Sequence, residues 1–173
     1  MGVLEEKDLG LKRILSQVED FKDGYVAVGF FEGQTHKNPG GGEDLPLAGI
    51  AAVHEYGAII MRASSTSAGF EIPERSFMRS WATEKKEEIG RVVGELYNKV
   101  LAGEFTAKKA LQLLGQYGVA GIKKKIDVGP FTPLAESTIA RKGSSKPLID
   151  TGQMRNSIRA EVRSGPIPPE GAA

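Results

Sequence analysis

GPFTPLAESTIARKGSSKPLIDTGQMRNSI, residues 129–158, is the stretch on which the reading of this chain turns. It holds Gly129, Pro130, Pro133 and Pro147, a basic loop, and an Asp-Thr-Gly at 150–152, between a helix-like and a strand-like segment. Two readings compete for it. A long polar loop usually exists to touch a partner. Asp-Thr-Gly after two apolar residues is also a mark of aspartic proteases, in which two carboxylates share a proton and which a dimer could supply as Asp150 twice. Against the protease, Gln153 follows the tripeptide where such enzymes usually carry a small residue, and no later apolar-Leu-Gly strand is present. Asp150 and Thr151 as a helix cap, with Gly152 in a tight turn, account for the same letters.

Working outward, Thr151 or Asp150 can cap a short helical turn over 152–156. SIRAEVR, residues 157–163, then alternates as a strand, with Ile158, Ala160 and Val162 on one face and Arg159, Glu161 and Arg163 on the other. SGPIPPEGAA, residues 164–173, reads as an extended tail. On the upstream side, Thr106 can cap a helix running to about Ile126. Gly115, Gly118 and Gly121 recur in it at threefold spacing, at a cost in helix propensity that close packing would explain. Lys123, Lys124 and Lys125 sit at its C-terminal end, where the helix dipole favours cations.

The first half divides in the same way. Leu4, Leu11, Ile14, Leu15, Val18 and Phe21 recur at helical spacing and predict an amphipathic helix over about 4–20. Asp23-Gly24 turns the chain into YVAVGFF, residues 25–31, a strand by its β-branched and aromatic content. EGQTHKNPGGGEDLP, residues 32–46, is expected as a projecting hairpin or arm, because no Gly-Lys-Ser/Thr follows its three glycines as a phosphate loop requires. LAGIAAVHEYG, residues 47–57, predicts a short helix closed by Gly57, with Ile50, Val53 and Leu47 facing the core. His54-Glu55 raises a metal site, but the only other histidine is His36 and no second His stands four residues on, so a satisfied polar pair at a helix end is expected. Residues 58–75 read as an extended AIIM, a Ser-rich loop, a short FEI strand and a Pro-Glu-Arg turn. From Ser76 a long central helix is expected, with Phe77, Trp81, Ile89, Val92, Leu96 and Val100 along its core side and EKKEE, residues 84–88, on a solvated face.

Length and charge bound these elements. At 173 residues the chain is expected to form a single α+β domain over 1–163, with an N-terminal helix in 1–21, projecting loops at 32–46 and 127–149, and the tail beyond. The fold class expected is a small, mostly antiparallel sheet packed against a long central helix, with extended loops or arms. Twenty-three basic against 22 acidic residues give a net charge of +1, short of the excess that dedicated nucleic-acid or membrane binders carry. Between Ala120 and Arg163 nine basic residues face four acidic ones, a local +5 that leaves −4 for the rest and favours head-to-tail contact between copies. Having no cysteine, the chain can hold no disulfide and no thiolate metal site. No cofactor is expected. Its charged start is unlike a signal peptide and no apolar run reaches the ~18 residues of a membrane span, so cytoplasmic synthesis and no membrane partner are expected.

Three pieces of this sequence carry a resemblance: HEYG at 54–57, IPERSF at 72–77 opening a helix, and TPLAESTIARKGSSKPLIDTGQMRNSI at 132–158. In order and spacing they resemble the tailed-bacteriophage virion-morphogenesis proteins, variously called neck, head-tail joining or tail-completion proteins. The resemblance implies a structural protein without enzymatic chemistry, a homo-oligomeric ring of sixfold-compatible symmetry in the virion neck. Its partners would be portal or adaptor and tail proteins, with loose contact to DNA in the channel. Arg141, Lys142, Ser144, Lys146, Pro147, Asp150 and Arg155 are the residues expected at subunit or partner contacts, and a tail-terminator role at the upper end of the tail is the nearest alternative.

Overall fold

The computed structural model describes residues 10–37, 43–60 and 70–167, apart from the side chains of Phe70, Arg141 and Lys142. Residues 4–9 of the expected N-terminal helix, the three glycines at 40–42, the expected Ser-rich loop at 62–69 and the last part of the expected tail lie outside the described residues.

The fold is α+β: small antiparallel two-stranded sheets accompany a long helix. Helix α1 (Leu11–Asp23) begins after Gly10, whose φ of 95° is left-handed and closes off any continuous helix through that position. Strand β1 (Gly24–Gly29) follows directly, and β2 (Thr35–His36) pairs antiparallel with β3 (Leu45–Pro46). Helix α2 (Leu47–Tyr56) ends at Gly57, whose φ of 72° turns the chain into β4 (Ala58–Ile60), antiparallel to β5 (Phe70–Ile72).

Where one long helix is expected from Ser76, there are two: α3 (Met78–Glu84) and α4 (Lys86–Leu101), separated at Lys85. The physical reason lies in EKKEE. No apolar residue between Trp81 and Ile89 holds a continuous buried face, and Glu87 and Glu88 fall in the first turn of α4, where an exposed helix N-terminus favours negative charge. Helix α5 (Ala107–Val128) is the longest, and α6 (Glu136–Lys142), α7 (Gln153–Ser157) and β6 (Arg159–Ser164), the pairing partner of β1, complete the order.

The described residues fall into two compact units. The first comprises 10–27, 87–117 and 160–167. Its core is Val18 and Phe21 of α1, Leu96 and Val100 of α4, and Ala107, Ala110 and Leu111 of α5. The turn between α4 and α5 uses Gly103 at a φ of 72°. The Thr106 hydroxyl then accepts the Lys109 N–H at 3.2 Å, and Gln17 of α1 accepts the Ala107 N–H at 2.9 Å, so both caps of this helix start are side-chain oxygens. A Cβ at Gly115 would stand 2.7 Å from the Cβ of Ala160 in β6, which is the close packing that the glycine spacing predicts.

The second unit comprises the described residues among 28–86 and 118–159. Leu47 and Ala51 of α2, Phe77, Ile122 and Ile126 of α5, Leu148, Met154 of α7 and Ile158 form its core. Helix α2 therefore buries the 47-51-55 row. Ile50 is half-buried and packs against this core as expected, Val53 is half-buried without being part of it, and the last member of the buried row is a carboxylate, Glu55. The 127–149 segment, expected as a projecting loop, starts inside α5, contains α6 and returns Leu148 and Ile149 to the core. In β6, Ile158 is buried just before the strand and Ala160 is half-buried, but Val162 is exposed, so the inward face expected through residue 162 stops short.

Trp81 lies over Gly121, where a Cβ would overlap the indole ring. Gly121→Ala is expected to cost about 1–3 kcal/mol by overpacking. Gly90→Ala, at an exposed helical position with open space around it, is expected to gain about 0.5–1 kcal/mol. Denaturant unfolding of the two variants checks the opposite signs; a stabilised Gly121→Ala would refute the close packing.

Candidate functional site

Glu55 is 2% exposed, at the end of α2. A buried carboxylate is tolerable only with its oxygens saturated. Here Oε2 accepts the N–H groups of Phe77 and Met78 at 2.9 and 3.0 Å, while Oε1 accepts the Arg79 N–H at 2.9 Å and the Ser76 hydroxyl at 2.7 Å. Those donors are the otherwise unsatisfied start of α3, so a residue of one helix caps another. Ser76, expected as the cap, has a lesser share: its Oγ accepts the Ser80 N–H at 3.2 Å. Burial works to raise the Glu55 pKa, and the donors of Met78, Ser76, Arg79 and Phe77 outweigh it, holding the carboxyl below its ordinary value. Arg79 adds a guanidinium Nε 3.4 Å from Oε1, and its NH2 group donates to the Glu55 carbonyl at 3.0 Å and to Glu74 at 2.6 Å.

Arg75, 5% exposed, makes the next link. Its Nε donates to the Thr132 carbonyl at 3.0 Å and its NH2 group to the Pro133 carbonyl at 3.4 Å, and burial pushes the guanidinium below its ordinary pKa. Its own N–H donates to the His54 carbonyl at 2.8 Å. HEYG, IPERSF and the start of the 132–158 stretch are thus tied into one polar junction through Glu55 and Arg75.

Farther along that stretch, Arg155 of α7 makes a two-pronged pair with Asp127 of α5, both N···O distances being 2.6 Å. The Arg155 hydrogen bond holds the Asp127 carboxyl below its ordinary pKa and raises the guanidinium in return. Among the other predicted contact residues, Ser144 accepts the Lys146 N–H at 3.3 Å, Lys146 is exposed, and Pro147 is half-buried in the turn before Leu148. Arg141 and Lys142 end α6, and their side chains lie outside the description. Asp150 is exposed beside Thr151, whose hydroxyl accepts the Gln153 N–H at 3.3 Å, with Gly152 left-handed at a φ of 78°. The residue at the cap position of α7 is Gly152, with no side-chain cap, so the cap expected of Asp150 or Thr151 is instead a turn with this one Thr151 contact.

Asp150 borders a cleft of about 240 Å³ shared with His36, His54, Leu134, Leu148 and Gln153. Leu148, one of its lining residues, has a φ of 61°, a left-handed backbone that costs a non-glycine residue roughly 1–2 kcal/mol. At this volume the cleft is below the ~300–1,000 Å³ usual for small-molecule sites. Among the described residues no group of three His, Asp or Glu is placed to hold a metal ion, and no helix is long and apolar enough to cross a membrane.

The local excess of positive charge is partly answered within the fold. Besides Arg155 with Asp127, Lys125 pairs with Glu84 at 2.6 Å, Arg163 pairs with Glu161 at 2.8 Å, and the Arg159 guanidinium lies 5.2 Å from the centre of the Phe31 ring. Sequence reasoning missed Arg75 and Arg79 altogether. The available signal for Glu55 was its place eight residues after Leu47 on the buried side of a helix.

No family model matches the chain, and no curated protein and no solved structure matches it.

Proposed function

We propose that this chain is a structural virion protein of a tailed phage, forming a homo-oligomeric ring at the head-tail junction that joins the capsid portal to the tail. The observation that carries the reading is the polar junction. The three sequence pieces that resemble neck proteins are joined by Glu55 to the start of α3 and by Arg75 to Thr132 and Pro133. Residues that resemble the family in order and spacing therefore serve one framework. Within it the 132–158 stretch keeps its apolar residues Leu148, Met154 and Ile158 buried while Lys146 and Asp150 remain exposed for a neighbour. Portal or adaptor and tail proteins are the partners on this reading, and the basic residues left outside internal pairs touch DNA in the channel only loosely.

Arg141→Glu combined with Lys142→Glu is expected to leave the chain folded, with an unchanged unfolding midpoint, and to abolish ring or virion assembly seen by electron microscopy. Normal assembly of the double variant would remove α6 from the interface. The function itself is tested by antibody labelling of virions. Label at the neck is expected, label at the upper end of the tail would favour a tail terminator, and label elsewhere or none would overturn the reading. Asp150-dependent peptide hydrolysis at acid pH would replace it with the protease.

A further inference from the structure

Arg75 is a buried charge without a carboxylate. It is 5% exposed, yet it forms no ion pair among the described residues, and burial is what lowers its pKa. Buried charges are ordinarily paired as well as hydrogen-bonded. Its Nε and Nη2 donate to the Thr132 and Pro133 carbonyls, which leaves Nη1 with no hydrogen bond to a described residue. That nitrogen is not among the side-chain atoms sealed from solvent, so it opens where Arg75 lines a cleft of about 340 Å³ between α3, the end of α5 and the 130–132 segment.

The same cleft holds a second cation. Lys125, its side chain 13% exposed, meets Glu84 through one Nζ hydrogen and keeps others to give. The serines of the cleft have none to spare, since Ser76 donates its hydroxyl to Glu55 and Ser80 donates its own to the Ser76 carbonyl. Pro130 and Phe131 supply an apolar wall. Glu74 and Glu84 also stand in the lining, held by Arg79 and Lys125, and they limit the charge of a ligand. A doubly charged phosphate would meet both carboxylates, whereas a single carboxylate answers the one guanidinium left over with less repulsion. Its two coplanar oxygens also match the guanidinium fork.

From these features we infer that the cleft is a binding site for a carboxylate, held by Nη1 of Arg75 and by Lys125 with its carbon skeleton against Pro130 and Phe131. The volume lies within the ~300–1,000 Å³ usual for small-molecule sites, which admits a free acid of the size of benzoate. A glutamate side chain of a partner presents the same chemistry. The inference goes beyond the ring reading and does not depend on it.

The test titrates the full chain with benzoate, with N-acetylglutamate N-methylamide, with neutral benzamide and with inorganic phosphate, following the amide resonances of residues 74–76 and 131–132 by NMR. Saturable shifts are expected there with both carboxylates, weaker ones with phosphate and none with benzamide; whichever acid binds more tightly tells a free acid from a protein side chain as the source. Glu84→Gln, at an exposed position, releases Lys125 and removes a repelling charge, so it is expected to tighten carboxylate binding about threefold or more. Arg75→Ala is expected to abolish binding, with Trp81 fluorescence verifying the fold; if that variant does not fold, the gain in Glu84→Gln and the benzamide control carry the test. The site is overturned by equal shifts with benzamide, by tighter binding of phosphate than of either acid, by no saturable shift with either acid, by binding that survives in folded Arg75→Ala, or by no gain in Glu84→Gln. Each of these results leaves the ring reading standing.

Discussion

Replacing Glu55 with Ala is expected to lower the unfolding free energy by about 3–5 kcal/mol, since the substitution strands buried partners rather than merely deleting a contact. The Phe77, Met78 and Arg79 N–H groups and the Ser76 hydroxyl would lose their acceptor, in a place where water has little access. Glu55→Gln keeps one acceptor oxygen but turns an NH2 group towards N–H donors, and about 2 kcal/mol is expected. Trp81, the only tryptophan, belongs to the same unit, so its fluorescence during urea unfolding reports the change. A loss under about 1 kcal/mol for the Ala variant would show that the start of α3 is satisfied by other means.

The same carboxylate sets a pH dependence of definite sign. Its folded pKa lies below its unfolded value, so the stabilisation is complete at neutral pH and is lost as pH falls through the folded pKa. Asp127, whose pKa Arg155 lowers, acts in the same direction. Subtracting the acid unfolding profile of Glu55→Gln from that of wild type isolates the Glu55 share; parallel profiles would contradict the lowered pKa.

Arg75→Ala is expected to cost roughly 2–3 kcal/mol and to do so locally at first. The two carbonyls it serves begin the stretch that leads to α6, so amide exchange over residues 129–135 should accelerate before the Leu47/Phe77 core opens. Arg75→Lys should lose nearly as much, because a single ammonium cannot reproduce the fork that reaches both Thr132 and Pro133. If exchange in 129–135 is unchanged in the Ala variant, Arg75 is not what holds the segment.

Much of the local structure was legible in the letters. Thr106 and the turn at Gly103 mark the start of α5 to within a residue, Gly57 marks the end of α2, and the spacing of Gly115, Gly118 and Gly121 indicates a helix pressed close to its neighbours. These signals are local: a cap or a left-handed turn is satisfied within a few residues of itself. The break at Lys85 was not legible. Phe77 and Trp81 on one side, and Leu96 and Val100 on the other, share one helical stripe in sequence, yet they belong to two different cores.

For the candidate site the division is sharper. Its basic, proline-marked segment could be read directly, and so could the tight turn at Gly152. That Glu55 would be buried required donors 21 to 24 residues away, and the purpose of Arg75 required carbonyls 57 and 58 residues away. Arg155 reads as a free contact cation until Asp127, 28 residues earlier, is brought beside it. By itself the sequence determined those element ends that a cap or a left-handed glycine sets, as at Gly57, Gly103 and Thr106, and how charge is distributed along the chain, because these depend on backbone conformation and near neighbours. Only the tertiary structure decided which charges are buried and answered, since the cost of burying a charge depends on partners that folding alone brings together.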